Sequence, residues 1–278
     1  MDLIAFVTNI YLKYPALRPS LLFLKRLILP SKPTFSGAGI TTVWELPWIN
    51  NDSEMTKNFL QANEYAKKNF IFSGTLSHGL DKNNYDGTFW IDWLIAFAAN
   101  YAITFTKNNN LNFVECGVGD GNTAFHALSQ LKSKPQLLSE TKMWLYDSWD
   151  AMQSKHLDVS EKQYDGRYSD LDINACKNNL KEFKEITIYN QGYVPEVFES
   201  IPKHPDKVNY LHIDLNSAGP SMAALEFFYP KMLDRGVIIF DDYGGKNYSK
   251  MRNQIDEFLS DKKGVLLEIP TGRAIFFM

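Results

Sequence analysis

Only two cysteines, Cys116 and Cys176, occur in 278 residues. That is too few for a disulfide framework, and neither sits in a CxxC or Cys/His cluster with zinc-binding spacing. A reducing cytoplasm is the expected setting. An excess of one charge is missing too: 29 Lys and Arg stand against 32 Asp and Glu, a formal net charge of -3, which removes the electrostatic reason for a nucleic-acid partner. No apolar run reaches the ~20 residues of a membrane-spanning helix. Residues 3–12 (LIAFVTNIYL) come nearest, but Asp2 stands where a signal peptide is basic, and no small-residue cleavage site follows. Internal repeats and low-complexity tracts are likewise absent.

What is present is enough apolar material, 45% hydrophobic with 14% aromatic, for one large domain plus an extension. The extension is taken as residues 1–85, mainly helical, ahead of a domain at 86–278. Within it, Lys13, Arg18, Lys25, Arg26 and Lys32 are interleaved with leucines and no acid. Such an arm suits short helices packed on the body or on a second subunit, giving a homodimer. It also suits an anionic membrane surface, where lipid-linked sugars reside. Pro15 and Pro19 cut it into short pieces and favour packing. Asn51 or Ser53 can cap a helix burying Met55, Phe59, Ala62 and Ala66. Residues 88–106 form an apolar helix with Phe89, Trp90, Trp93 and Phe97, expected to lie on a sheet.

Beyond residue 110 short apolar runs alternate with amphipathic segments, the pattern of a mostly parallel sheet with crossover helices. Seven strands are expected, at 112–116, 143–146, 186–189, 210–213, 237–240, 265–269 and 274–277. Helices are expected near 123–131, 172–183, 222–233 and 249–259, on both faces of an open Rossmann-like α/β sheet.

The sharpest local signal is FVECGVGDGNTAFH, where a strand runs into Gly117, Gly119 and Gly121 before a helix. Glycines there let backbone amides approach a ligand at the carboxyl end of the strand. The spacing is GxGxG, not the GxGxxG that seats a pyrophosphate. An acid, Glu115, precedes the first glycine by two residues. S-adenosylmethionine carries an ammonium and a carboxylate in place of phosphate, so Glu115 is expected near the amine and the turn amides near the carboxylate. The second strand ends on Asp147, placed to accept both ribose hydroxyls, with Ser148 beside it. Gln191 and Gly192 after the third strand reach the adenine side.

Asp214 ends the fourth strand, and Asp241 with Asp242 the fifth, so three carboxylates should share one sheet edge. Their repulsion needs neutralising. A divalent cation with oxygen ligands, Mg²⁺ first, would do so and polarise a hydroxyl. Alternatively Asp242 caps the next turn and Asp241 bonds backbone amides.

Taken in order, ECGVGDG, YDSWD, NQGYVPE, HIDLNSAGPS and FDDYGG resemble the macrocin O-methyltransferase family over residues 86–278. The resemblance implies a class I methyltransferase fold and transfer from S-adenosylmethionine to a hydroxyl of a sugar or similar small polar acceptor. It also implies metal ligation by Asp214, Asp241 and Asp242. The chain departs from the family at Asn216, where an acid is proposed as general base. Asparagine cannot take the proton, though it can orient the acceptor. His212 lies on the same side of its strand as Asp214 and is a candidate catalytic residue, set against a buried structural role; Tyr243 is another. The acceptor pocket is expected from the extension and residues 153–168, with His156, Tyr164 and Tyr168. An NAD-dependent oxidoreductase and a non-catalytic binding or scaffold protein of the same fold stand as rival readings.

Overall fold

The computed structural model describes residues 35–37, 40–42, 53–75, 80–105 and 110–278. The apolar run at 3–12 and the basic arm at 13–32 lie outside the described residues. The extension is not wholly helical, because β1 (Phe35–Gly37) and β2 (Ile40–Thr42) pair antiparallel. Helix α1 (Glu54–Asn69) follows, its start fixed by Ser53, whose side chain accepts from the Thr56 backbone N–H. Helix α2 (Phe89–Phe105) carries one charge, Asp92, and buries leucine, isoleucine and alanine against the sheet.

The sheet has seven strands: β3 (Asn112–Cys116), β4 (Lys142–Asp147), β5 (Thr187–Gln191), β6 (Val208–Ile213), β7 (Met232–Phe240), β8 (Val265–Ile269) and β9 (Arg273–Phe277). Their spatial order is β5-β4-β3-β6-β7-β9-β8, with β9 antiparallel to both β7 and β8. The chain winds outward from β3 through β4 to β5, then returns to the other side of β3 as β6. This reversal opens a crevice at the carboxyl ends of β3 and β6, where ligands bind in open α/β sheets.

Alternation along the strands sorts the core into two layers. Phe113, Leu145, Tyr210, Ile239 and Ile275 face α1, α2, α3 (Asn122–Ser129) and α4 (Ile173–Asn179). Val114, Tyr146, Leu211, Ile238 and Phe276 face α5 (Glu196–Ser200), α6 (Ala218–Phe228) and α7 (Ser249–Leu259).

Two helices differ from expectation for local reasons. The one expected at 222–233 begins at Ala218 and ends at Phe228, because Pro220 falls in its first turn, where no N–H is needed, and Pro230 stops it. The one expected at 172–183 is α4, capped by Asp172, followed by a separate 3-10 turn over Lys181–Phe183. Strand β7 starts at Met232, five residues before its apolar run. No helix among the described residues is long and apolar enough to cross a membrane.

Candidate active site

The glycine turn after β3 is shaped by contact between strand ends. The Asp214 N–H donates to Cys116 O at 2.8 Å, bringing the β6 backbone so close that a Cβ on Gly117 would lie 1.7 Å from the Asp214 carbonyl oxygen. Gly117 also holds φ +85°, so only glycine fits. Gly121, at φ +82°, caps α3, and a Cβ there would meet Cys176 Sγ at 3.0 Å. Gly121 thus serves helix packing.

Asp147 clamps this turn. Its Oδ2 accepts from the Val118 and Gly119 N–H groups at 2.6 and 2.8 Å, and its Oδ1 from the Trp149 N–H at 2.7 Å. Burial raises its pKa, and these amide bonds pull against that rise. Asp120, within the turn, accepts from the Ser73 hydroxyl and, at 3.0 Å, from the Ser73 N–H, tying the segment after α1 to the turn.

The turn opens into a cavity of about 530 Å³. Gly117, Gly119, Asp147, Ser148, Gly192, Asp214, Asn216 and Asp241 line it, with Gln153, His156 and Tyr168 from the loop expected to shape an acceptor pocket. Glu115, Gly121, Gln191, His212, Asp242 and Tyr164 are not among the lining residues. Glu115 is fully buried and accepts from Thr123 Oγ1 at 2.5 Å. It lies beside His212 in the β3–β6 register, two residues before Gly117. Gln191 is exposed and donates to Ser148 O at 3.2 Å.

His212, a candidate catalytic residue, is not among the residues that line the cavity, though Asp241 beside it is. It is fully buried, with Nδ1 3.7 Å from Glu115 Oε1 and Nε2 4.0 Å from Asp241 Oδ1. Alternation along β6 puts it on the same face as Tyr210, in the layer under α2. Tyr243 is also turned away and donates to Asp256 Oδ1 at 2.5 Å. Asn216 lines the cavity with its amide occupied: Oδ1 accepts from the Tyr168 and Tyr248 hydroxyls at 3.1 and 3.2 Å, and Nδ2 donates to Asp214 Oδ1 at 3.0 Å. Its own N–H donates to Asp242 Oδ2 at 3.0 Å.

The three carboxylates do gather, and their charge is felt. Burial, then Asp241 and Asp242, push the Asp214 carboxyl well above the usual range. Burial and Asp241 push Asp242 up to about 7. Asp241, however, is paired with a residue the motifs did not include: Arg273 donates from Nε to Oδ1 at 2.5 Å and from Nη2 to Oδ2 at 2.9 Å. The pair is largely buried, each side chain about an eighth exposed at 12% and 13%. Burial opposes the guanidinium charge, and Asp241, with Asp214 and Asp242 behind it, outweighs burial and raises the Arg273 pKa.

This arrangement does not fit the Mg²⁺ triad expected of Asp214, Asp241 and Asp242. Both Asp241 oxygens are engaged by a cation already. A dication roughly 4–5 Å from that guanidinium would meet Coulombic repulsion on the order of several kcal/mol at an effective dielectric of about 20. Among the described residues, the set with one ligand atom each within 4.8 Å is His212, Asp214 and Asp241. It omits Asp242 and brings in an imidazole, whereas Mg²⁺ prefers oxygen ligands.

A second charged group also escaped the motifs. Asp92 is fully buried in α2 and borders the cavity. It accepts from Thr88 Oγ1 and from Asn122 Nδ2, both at 2.7 Å. Asn122 opens α3, so this bond joins α2 to the helix after the glycine turn. Burial pushes Asp92 up to about 7 and His126, 3.6 Å away, down to about 3, so the histidine is neutral at physiological pH. The available sequence signal was a lone acid in an apolar helix.

A seven-stranded sheet with this order, reversed last strand and glycine turn defines the Rossmann-like methyltransferase fold. Residues 114–243 match the family model described as a methyltransferase domain. Three solved structures are similar over most of their length. The O-methyltransferase NovP has a TM-score of 0.62 at 16% identity, covering 80% of this chain and 98% of that one. The calicheamicin methyltransferase CalS11 has a TM-score of 0.59 at 14% identity, covering 84% and 96%. A second structure of CalS11, described as a TDP-rhamnose 3'-O-methyltransferase, gives 0.52 at 13% identity, covering 82% and 96%. No curated protein matches the sequence.

Proposed function

We propose that this chain transfers the methyl group of S-adenosylmethionine to a hydroxyl of a sugar or related small polar acceptor. The observation that carries the reading is the shared cavity: the GxGxG turn clamped by Asp147 forms one wall, and Asp214 and Asp241 form the other. The NovP and CalS11 descriptions support an oxygen acceptor, and one CalS11 description names a nucleotide sugar. The mixture of Gln153, His156 and Tyr168 on the cavity suits hydroxyl-rich ligands. A lipid-linked sugar belongs to the same acceptor class.

The acceptor hydroxyl gives up its proton and its oxygen attacks the sulfonium methyl in line. The C–S bond breaks, leaving a methyl ether and S-adenosylhomocysteine. Holding oxygen and methyl at attack distance supplies much of the rate. The glycine turn and Gly192 would form the surface on which the cofactor lies, with Asp147 turning its remaining acceptor capacity to the ribose. Asp214, a carboxyl on the cavity, is assigned the proton, since Asn216 cannot take it and His212 does not line the cavity.

Calorimetry tests this with S-adenosylmethionine, and with NAD as control. Micromolar binding of S-adenosylmethionine is expected. Binding of NAD alone would overturn the reading, and tight S-adenosylmethionine binding without turnover on any sugar acceptor would favour a non-catalytic binding protein.

A further inference from the structure

We infer that Arg273 does internally what a bound divalent cation would do at this acidic edge, so that the site works without one. The inference rests on the reading of the cavity as a methyl-transfer site, and its support is geometric. β7 and β9 are antiparallel neighbours with Phe240 opposite Ala274, so the backbone register itself sets Arg273 beside Asp241. The fork is bidentate at 2.5 and 2.9 Å, the planar match that arginine makes with a carboxylate. Nη1 is held as well, donating to Thr271 O at 3.1 Å. A side chain fixed at three nitrogens does not swing out to admit an ion.

Arg273 also lines the cavity, where its charge faces the place in which the acceptor oxygen becomes negative. Of its five N–H donors, three make the bonds just given, leaving two for an acceptor oxygen. A fixed guanidinium stabilises developing oxyanion charge without a metal's coordination demands.

The test uses the full chain and Mn²⁺ alone, followed by electron paramagnetic resonance, with S-adenosylmethionine calorimetry on the same samples. The wild-type protein is expected to leave Mn²⁺ free at about millimolar concentration and to bind S-adenosylmethionine equally with and without chelator. Arg273→Gln, which keeps a polar side chain and removes the charge, is expected to gain a Mn²⁺ site that Asp214→Asn in the same variant abolishes. Arg273→Lys is expected to keep the ion out, which a merely structural role for the side chain would not predict. Stoichiometric Mn²⁺ on the wild type, lost in His212→Ala or Asp214→Asn, would overturn the inference and assign a His212–Asp214–Asp241 metal site. A folded Arg273→Gln that still ignores Mn²⁺ would overturn it as well. If Arg273→Gln fails to fold, the wild-type titration alone decides. Failure to bind S-adenosylmethionine would instead strike the functional reading and leave the Mn²⁺ result standing.

Discussion

The two walls of the cavity are made from different materials. The glycine-turn wall is backbone: Gly117, Gly119 and the amides held by Asp147 come from two adjacent strands and the turn between β3 and α3. The acid wall is side chains drawn together across distance, with Asp241 and Arg273 standing 32 positions apart in the chain and Tyr168 and Asn216 48. The first wall carries one titratable group, Asp147, whose carboxylate is held by three backbone N–H groups. The second balances three carboxylates against one guanidinium, and its charge changes with pH and with every substitution.

Breaking the first wall should cost most. Gly117→Ala places a Cβ against the Asp214 carbonyl at 1.7 Å and must spread β3 from β6. A loss of at least about 3 kcal/mol in chemical denaturation is expected, with S-adenosylmethionine binding abolished. Near wild-type stability would show that the strand ends are looser than described. Next comes a paired comparison. Asp147→Asn leaves one of its three backbone N–H donors facing an amide NH₂, which should cost about 1–3 kcal/mol and weaken S-adenosylmethionine binding more than tenfold. Asp241→Asn, on the other wall, should leave that affinity within about threefold while impairing turnover, the pattern of an interaction made in the transition state. Equal losses of affinity in both would erase the distinction between the walls.

The pH response sharpens it further. Asp92 ionises at about 7 in the fold against an ordinary 3.8, so between those values the folded chain binds more proton than the unfolded one. Its contribution to stability is therefore full at the acid end, declines as pH rises through that window, and is lost above about 7. Asp92→Asn is expected to flatten this decline in melting curves recorded from about pH 4 to about pH 8. An unchanged slope would show that Asp92 is not its source. The smallest effect is expected from Asn216→Asp, which sets an oxygen of a fourth carboxylate where Nδ2 now meets Asp214 at 3.0 Å. A loss of about 1 kcal/mol at pH 8, shrinking toward pH 6 as the cluster takes up protons, would fit the crowding of charge there. A gain in stability at pH 8 would contradict it.

Legibility in the sequence follows the same division. The glycine turn, the strand ends at Asp147 and Asp214, and the alternation of strands and helices are local patterns, and each appears in the structure near its expected position. For Glu115 and His212 alternation gave the side of the strand, and a buried structural role for His212 was read beside a catalytic one, but their neighbours were not legible: across the β3–β6 register the two lie beside each other on the α2 side of the sheet. Arg273 was hidden for a related reason. Its partner is set by an antiparallel register between β7 and β9, and the TGR stretch carries no motif of its own. Asp92 could have been suspected as the single charge in α2, but its bonds to Thr88 and Asn122 join two helices that only the fold brings together.

The placement of β9 also governs the order in which the site can be completed during synthesis. Asp241 leaves the ribosome 32 residues ahead of Arg273, a delay of a few seconds at roughly 5–20 residues per second. Meanwhile β7 has no neighbour on its far side, since β8 docks only through β9. β9 must therefore pair with β7 before β8 can join the sheet, or together with it. When it does, the edge of β7 is paired and its carboxylate is neutralised in the same event, so the sheet closes only around a cluster whose counter-charge has arrived.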